Sequence, residues 1–122
     1  MNYTKLLSGY IETKIKAKPL EPPRFNFSMI SFCGTHIIVS GGSDKDLSQL
    51  VEIYEIKIDL WSSGPKLVKK RNYQSSCIHG NRWMYTIGGY KQRDGQRGCV
   101  RDRGIERLDV RATLRKSAAM AT

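Results

Sequence analysis

The chain alternates short apolar runs with polar or glycine-rich turns, a pattern typical of strand-rich proteins. A run at 25–32 is followed by a tight turn and by a second run, His36–Ser40, which ends at a glycine pair. In the segment 50–58, Ile56 and Ile58 alternate with Glu55 and Lys57, as in a strand with one buried face. A fourth short strand is predicted around Trp61. The pattern therefore predicts a small four-stranded antiparallel sheet.

The same order of elements returns in the second half of the chain. The glycine pairs that begin at Gly41 and Gly88 are 47 residues apart (88 − 41 = 47), and Arg24 and Arg71 have the same spacing. Self-similarity at a fixed period of roughly 20 to 50 residues is typical of repeat architectures. The chain is therefore predicted to contain two copies of one structural unit.

The second copy contains an insertion between its second and third strands. Glu106 matches Glu52 at an offset of 54 (106 − 52 = 54), so seven residues are added (54 − 47 = 7) within the segment 90–104. Binding residues concentrate on loops held by a rigid scaffold, and arginines pair well with carboxylates. We therefore predict contacts to an acidic partner at Arg93, Arg97, Arg101 and Arg103. The alternative interpretation is a solvated surface loop that binds nothing.

An arginine, two strands ending in Gly-Gly, a strand with a Glu-x-Tyr pattern and a tryptophan follow each other in a fixed order. This order resembles the kelch repeat, whose period is roughly 50. The residues that carry the resemblance are Arg24, Gly41, Gly42, Glu52, Tyr54, Trp61, Arg71, Gly88, Gly89 and Glu106. The second copy departs from the pattern, since Leu108 replaces the tyrosine and Arg115 the tryptophan.

The resemblance implies an all-β fold of two four-stranded antiparallel kelch-like blades belonging to an incomplete β-propeller. The expected organisation is an N-terminal segment, 1–21, that ends a preceding blade, a first repeat, 22–68, and a second repeat, 69–118, which carries the inserted basic loop 90–104. Propellers close with about four to eight blades, and a repeat needs neighbours to bury its apolar faces. The chain is therefore expected to be a fragment of a longer protein or to self-associate, with an open two-blade stub as a third option.

The function that the resemblance implies is a non-enzymatic protein-binding module that acts through loops on one propeller face. Expected partners are proteins, either acidic or of the ubiquitin-ligase and cytoskeletal kinds, although no stretch resembles a BTB or F-box segment. No cofactor is predicted. One alternative is a fragment of a kelch-type copper-radical oxidase. His36 and His79 are separated and lack neighbouring ligands, so no metal site is predicted.

The net charge of +10 and the pI near 9.8 introduce nucleic-acid binding as a further alternative. The basic residues are spread along the chain and not gathered on one predicted helix, which disfavours it. Three cysteines without a C-x-x-C pair indicate a reducing compartment, and Cys33 and Cys77 are predicted to pack as small apolar residues. No signal peptide or membrane span is recognised. A cytoplasmic location is expected.

Overall fold

The chain folds mostly into antiparallel β-sheets, and this part of the predicted fold class is confirmed. The computed structural model describes residues 16–43, 47–92 and 99–121. These residues form sheets of four, three and two strands and a C-terminal helix, with no closed ring of sheets among them. In chain order the elements are β1 (Ser28–Phe32), β2 (His36–Ser40), β3 (Val51–Glu55), β4 (Leu60–Ser63), β5 (Ser75–His79), β6 (Trp83–Ile87), β7 (Tyr90–Gln92), β8 (Cys99–Arg101), β9 (Ile105–Asp109) and α1 (Val110–Ala121).

The first sheet is the predicted meander, in which β1, β2, β3 and β4 lie side by side in sequence order. Cys33 and Gly34, in the turn between β1 and β2, have positive φ angles of 53° and 68°. Two consecutive positive φ angles give a hairpin turn whose twist matches that of its strands. The backbone N–H of Thr35 closes this turn on the carbonyl of Phe32 over 3.1 Å.

The third strand is shorter than predicted. The alternation over 50–58 predicted one continuous strand, but residues 56–59 form a turn. Ile56 and Ile58 are exposed, so the expected buried face does not extend to them. Asp59 adopts a positive φ of 52°, which lets the chain reverse into β4 within four residues.

The second sheet contains three strands, β5, β6 and β9, and the prediction of a four-stranded second blade is wrong. The helix α1 occupies the sequence where the fourth strand was expected. Residues 110–121 contain no glycine or proline and are rich in alanine, arginine and other strong helix formers. The carboxylate of Asp109 caps the helix by accepting the N–H of Ala112 over 3.0 Å. Val110 is fully buried and anchors the first turn.

The predicted loop 90–104 contains the two-stranded hairpin of β7 and β8. Tyr90 pairs with Arg101 in this hairpin. Residues 93–98, which separate the two strands in sequence, lie outside the described residues. The insertion is therefore partly a paired structure and not a plain surface loop.

The hydrophobic core lies between the first and second sheets. The first sheet contributes a cross-strand row of Ile30, Ile38 and Ile53. The second sheet contributes a cross-strand row of Ile78, Met84 and Leu108. Val110 and Leu114 of α1 pack against the same cluster, four residues apart on one helix face. The helix thus contributes to the core that the missing fourth strand would otherwise have covered.

The two sheets meet along their first strands, β1 and β5. The backbone N–H of Gly42 donates to the carbonyl of Arg71 over 3.0 Å, and the side-chain amide of Gln74 donates to the carbonyl of Ser40 over 2.7 Å. A Cβ at Gly41 would lie 2.5 Å from the Arg71 carbonyl oxygen. Only glycine allows the two backbones to approach this closely.

Candidate functional site

The hydrogen bonds of the first sheet recur in the second at the sequence offsets of 47 and 54. For each pair below, the first bond belongs to the first half of the chain and the second bond to its counterpart. The bond from Thr35 N–H to Phe32 O (3.1 Å) corresponds to that from Arg82 N–H to His79 O (3.3 Å). The bond from Ser43 N–H to Phe25 O (2.7 Å) corresponds to that from Tyr90 N–H to Asn72 O (2.8 Å). The bond from Gly41 N–H to Leu50 O (2.9 Å) corresponds to that from Gly88 N–H to Gly104 O (3.0 Å). Both halves of the chain therefore share one backbone design.

The second glycine of each pair lies against the backbone just before the first strand of its own sheet. A Cβ added to Gly42 would lie 3.1 Å from the carbonyl oxygen of Phe25, and one added to Gly89 would lie 2.6 Å from that of Asn72. Both glycines have positive φ, 129° and 90°. Close approach and backbone angle together explain why glycine stands at both positions.

Arg71 is the most extensively bonded buried side chain of the second half. It is 1% exposed. Its Nε donates to Glu106 Oε2 over 3.0 Å, and its Nη1 donates to the Gly88 carbonyl over 2.7 Å and to Asp102 Oδ1 over 3.1 Å. Glu106 also accepts the backbone N–H of Val68 over 2.6 Å. Arg71 therefore joins the linker before β5, the end of β6 and the start of β9.

Asp102 is held in its ionised form at this site. The backbone N–H of Gly104, which donates to Asp102 Oδ1 over 2.6 Å, and then the charges of Arg71 and Lys69 lower the pKa of this carboxyl, although partial burial opposes them. Lys69 lies 3.6 Å from its other oxygen. The segment after β8 is thus fixed to the scaffold, and removing all of 90–104 would remove partners of Arg71.

Arg24 is the counterpart of Arg71 and has weaker contacts. Its side chain is fully buried, yet its Nη2 lies 4.0 Å from Glu52 Oε1, and its Nη1 donates to the Leu47 carbonyl at 3.5 Å. Burial lowers the pKa of Arg24 and raises that of Glu52, and their mutual attraction does not offset it. Position 48 of the first unit holds Ser48 where the second holds Asp102. The carboxylate that completes the second site is thus absent from that position in the first.

Tyr54 and Trp61 close the outer edge of the first sheet. Their ring centroids are 4.9 Å apart. Trp61 Nε1 donates to the carbonyl of Lys18 over 2.9 Å, and the Tyr54 hydroxyl donates to Asp59 Oδ1 over 2.6 Å. The Lys18 backbone N–H and the Tyr54 hydroxyl lower the pKa of Asp59. These contacts attach residues 16–20, which form no strand, to β4. Residues 1–15 of the predicted end of a preceding blade lie outside the described residues.

The predicted partner-binding arginines are only partly placed by the structure. Arg93 and Arg97 lie outside the described residues, whereas Arg101 and Arg103 are exposed on either side of Asp102. Exposed apolar and aromatic side chains lie at the same end of the second sheet. We call these side chains and the two placed arginines the loop-end patch, consisting of Tyr73, Ile87, Tyr90, Arg101, Arg103 and Ile105.

Cross-strand pairing brings the members of the loop-end patch together in two groups. Ile87 pairs directly with Ile105, and they are 44% and 63% exposed. Tyr90 pairs with Arg101, and its ring centroid lies 6.4 Å from that of Tyr73 in an edge-to-face arrangement. The sequence reasoning predicted only the arginines of this patch. The isoleucine pair could have been found from the strand register, which places both residues on one face.

The outer face of the second sheet is more polar than its counterpart in the first. The row of Ile30, Ile38 and Ile53 corresponds, at the offsets of 47 and 54, to the row of Cys77, Tyr85 and Arg107. The Arg107 guanidinium lies 4.0 Å from the ring centroid of Trp83, and that of Arg82 lies 4.6 Å from it. This face is suited to contact with water or with a polar partner.

A second cluster of arginines, which the sequence reasoning did not predict, lies at the opposite end of the sheets. Arg82, Arg111 and Arg115 line a cavity of about 460 Å³ whose wall includes Phe32 and Leu114. We call this cavity the arginine groove. Predicting a helix at 110–121 would have revealed it, because residues four apart share a helix face, but the kelch resemblance implied a fourth strand near Arg115 and no helix.

Each histidine has a side-chain neighbour in the described part of the chain. His36 Nε2 lies 3.6 Å from Glu55 Oε1, and the His79 ring packs edge-on against Tyr85. No group of three or more His, Cys, Asp or Glu side chains converges among the described residues. Cys33 and Cys77 are free and exposed, so the prediction that they pack as small apolar residues is wrong.

Comparison with known proteins assigns no family to this chain. No family model matches the sequence, and no curated protein matches it. Within the described ranges, no helix has the length and apolar character needed to cross a membrane.

Proposed function

We propose that this protein is a non-enzymatic protein-binding module built from two kelch-like units of a β-propeller. In this proposal the loop-end patch captures segments of partner proteins that combine apolar and acidic side chains. The observation that carries it is the combination, at one end of the second sheet, of the exposed Ile87–Ile105 pair with Arg101 and Arg103. The units supply the scaffold, and the patch supplies recognition.

The shared backbone design of the two halves supports the kelch-like assignment. Equivalent hydrogen bonds recur at offsets of 47 and 54, and a buried arginine faces a glutamate in each half. The sheets lie with their first strands adjacent, as stacked repeat units do. The helix in place of a fourth strand makes the second unit a variant of the first.

The chemistry of the loop-end patch supports recognition of proteins. Interfaces between proteins are enriched in aromatic residues and arginine, and exposed apolar patches often mark binding sites. Tyr73 is 65% exposed and Ile105 63% exposed, so both can lose accessible surface when a partner binds. Arg101 and Arg103 can form bidentate hydrogen bonds with carboxylates. An acidic segment with an apolar anchor fits this combination.

The buried network around Arg71 gives the patch a rigid support. Arg71 Nη1 donates both to the carbonyl of Gly88 and to the carboxylate of Asp102, the residue between the two exposed arginines in the sequence. Binding residues held in place by a scaffold lose less conformational freedom when a partner binds. The patch therefore combines exposed side chains with a backbone that the core fixes.

Selection from a phage-displayed library of natural peptide segments tests the proposal. The wild-type chain should enrich peptides with acidic and apolar side chains, and their affinities can be measured by fluorescence anisotropy. The double variant R101E/R103E should bind these peptides with an affinity lower by about tenfold or more, because reversing two charges replaces attraction by repulsion. The variant I105T should weaken them as well, since it removes the apolar anchor.

Matched variants at the opposite end of the first sheet serve as controls. Lys57→Glu changes an exposed charge and Ile58→Thr an exposed isoleucine in the turn 56–59. Both should leave peptide affinity within about twofold of wild type, since surface changes away from a site have small effects. Enriched peptides that bind the loop-end variants as tightly as wild type would reject the patch as the site.

Nucleic-acid binding is the second candidate function, favoured by one observation. Trp83 and Tyr85 lie on the outer face of the second sheet together with Arg82 and Arg107. Aromatic rings that stack bases, combined with arginines, are typical of single-strand binding surfaces. This candidate requires that the chain bind a single-stranded oligonucleotide at about 200 mM salt, and that Trp83→Leu abolish the binding. If no oligonucleotide binds at that salt concentration, nucleic-acid binding is rejected and only the protein-binding proposal remains.

A further inference from the structure

The arginine groove concentrates positive charge in one concave site. The cavity of about 460 Å³ is lined by Arg82 from the β5–β6 turn and by Arg111 and Arg115 from α1. Phe32 forms part of its wall, and the Arg111 guanidinium lies 5.9 Å from the Phe32 ring centroid. No aspartate or glutamate lines the cavity within the described part of the chain. The two sheets and the helix thus bring three guanidinium groups to one place.

Among the described residues, the carboxylate that pairs with the groove does not balance its charge. Both Nε and Nη2 of Arg82 donate to Asp109 Oδ2, over 3.1 and 2.8 Å. The other oxygen of Asp109 accepts the backbone N–H of Ala112. Arg111 donates to the carbonyl of Asn81, a neutral acceptor. Three positive charges against one carboxylate leave an excess of two positive charges at the groove.

The position of the arginines on α1 is unfavourable for the helix itself. Arg111 lies in the first turn, where the helix dipole is positive and acidic residues are preferred. Arg115 lies four residues later on the same face, where two like charges repel each other. An anion bound between them would relieve both effects. The arrangement thus disfavours the free helix and favours an occupied groove.

We propose that the arginine groove binds a phosphate monoester carried on a serine or threonine side chain of a partner protein. The excess of two positive charges matches a phosphate dianion better than a single carboxylate. The apolar wall formed by Phe32 and Leu114 suits the carbon atoms of the residue that carries the phosphate. A concave site of this size fits a side chain and its neighbours, whereas an extended basic track would favour a nucleic-acid backbone.

This inference rests on the proposed protein-binding function, because a protein carries the phosphate. It assigns to the same partner, or to a second one, a contact at the end of the sheets opposite the loop-end patch. Recognition at the patch through carboxylates and at the groove through phosphate can therefore be separated by variants that remove two arginines from one site or from the other.

Fluorescence anisotropy with two labelled degenerate peptide libraries tests the inference. One library is centred on phosphoserine and the other on unmodified serine. The wild-type chain should bind the phosphorylated library about tenfold more tightly, because the phosphate adds charge-assisted hydrogen bonds with the arginines. In R111Q/R115Q the two libraries should bind with about equal affinity. Inorganic phosphate should displace the phosphorylated library from the wild type but not from this variant. The matched variant R101Q/R103Q should retain the preference while binding both libraries more weakly.

Circular dichroism and urea unfolding of each variant test whether the fold is retained. Arg111 and Arg115 are exposed, so their substitution is expected to leave the fold intact. A preference that persists in R111Q/R115Q, or that is missing from the wild type, would overturn the inference. If both libraries bind equally well and R101Q/R103Q weakens them, the groove proposal fails and the protein-binding function stands. Tighter binding of single-stranded oligo-dT, lost in R111Q/R115Q, would also overturn it and assign the groove to nucleic acid.

Discussion

Replacing Arg71 by methionine tests how far a buried ion-pair network stabilises the second unit. Arg71 is 1% exposed and contacts Glu106 and Asp102 over 3.0 and 3.1 Å. The substitution leaves both carboxylates without this cation. Removing one partner of a buried pair costs about 3–5 kcal/mol, and domains of this size are stable by only about 5–15 kcal/mol. We therefore expect R71M to lose a large part of its free energy of unfolding.

Urea unfolding at neutral pH, followed by circular dichroism, measures the loss. The control is R24M, because Arg24 is equally buried but lies 4.0 Å from Glu52 and has two nitrogens without hydrogen-bond partners among the described residues. Its removal should cost less, about 1–3 kcal/mol. The reasoning is refuted if R71M loses under about 1 kcal/mol, or if R24M loses more than R71M. The double variant R71M/E106Q should recover part of the R71M loss, since it removes one of the stranded charges.

Three further predictions concern the backbone, pH and the helix. Gly89→Ala should lower the free energy of unfolding more than Gly34→Ala, because a Cβ at Gly89 meets a backbone oxygen at 2.6 Å and one at Gly34 meets nothing within 4 Å; equal losses in urea would contradict this. The pKa of Asp102 is lowered in the folded state by the backbone amide and guanidinium beside it. Its contribution is therefore full above the ordinary pKa of about 3.9 and is lost as pH falls through the folded pKa. The urea midpoint of D102N should change less than that of wild type on acidification, and parallel curves would refute the assignment. Leu114→Asp should detach α1 from the core, unfold it and reduce the helical circular dichroism signal. An unchanged spectrum would show that the helix forms without this contact.

Features set by local backbone chemistry could be predicted from the sequence. The predicted second strand, His36–Ser40, ends at its glycine pair as expected, because close approach and positive φ at Gly41 both require the absence of a Cβ. The alternation of apolar residues predicted the first sheet in the correct strand order. These signals depend on a few neighbouring residues, so a single sequence contains them.

Features set by competition between distant segments could not be predicted. Ile56 and Ile58 continue the alternation, but Asp59 at positive φ turns the chain before they can pair. The kelch resemblance implied a fourth strand near Arg115, yet the helix propensity of residues 110–121 and the cap at Asp109 favour α1. The arginine groove depends on that helix. Without that helix, the positions of its arginines in the sequence do not indicate that they lie together.

Hydrogen–deuterium exchange of the chain with its tightest display-selected peptide tests the central claim, that partner proteins bind at the loop-end patch. The peptide should slow exchange in residues 87–92 and 99–105, where the patch and its supporting backbone lie. The turn 56–59, at the opposite end of the first sheet, should exchange as fast as without peptide. Protection confined to the turn 56–59 or to the outer edge of β4, with none at the patch, would contradict the claim.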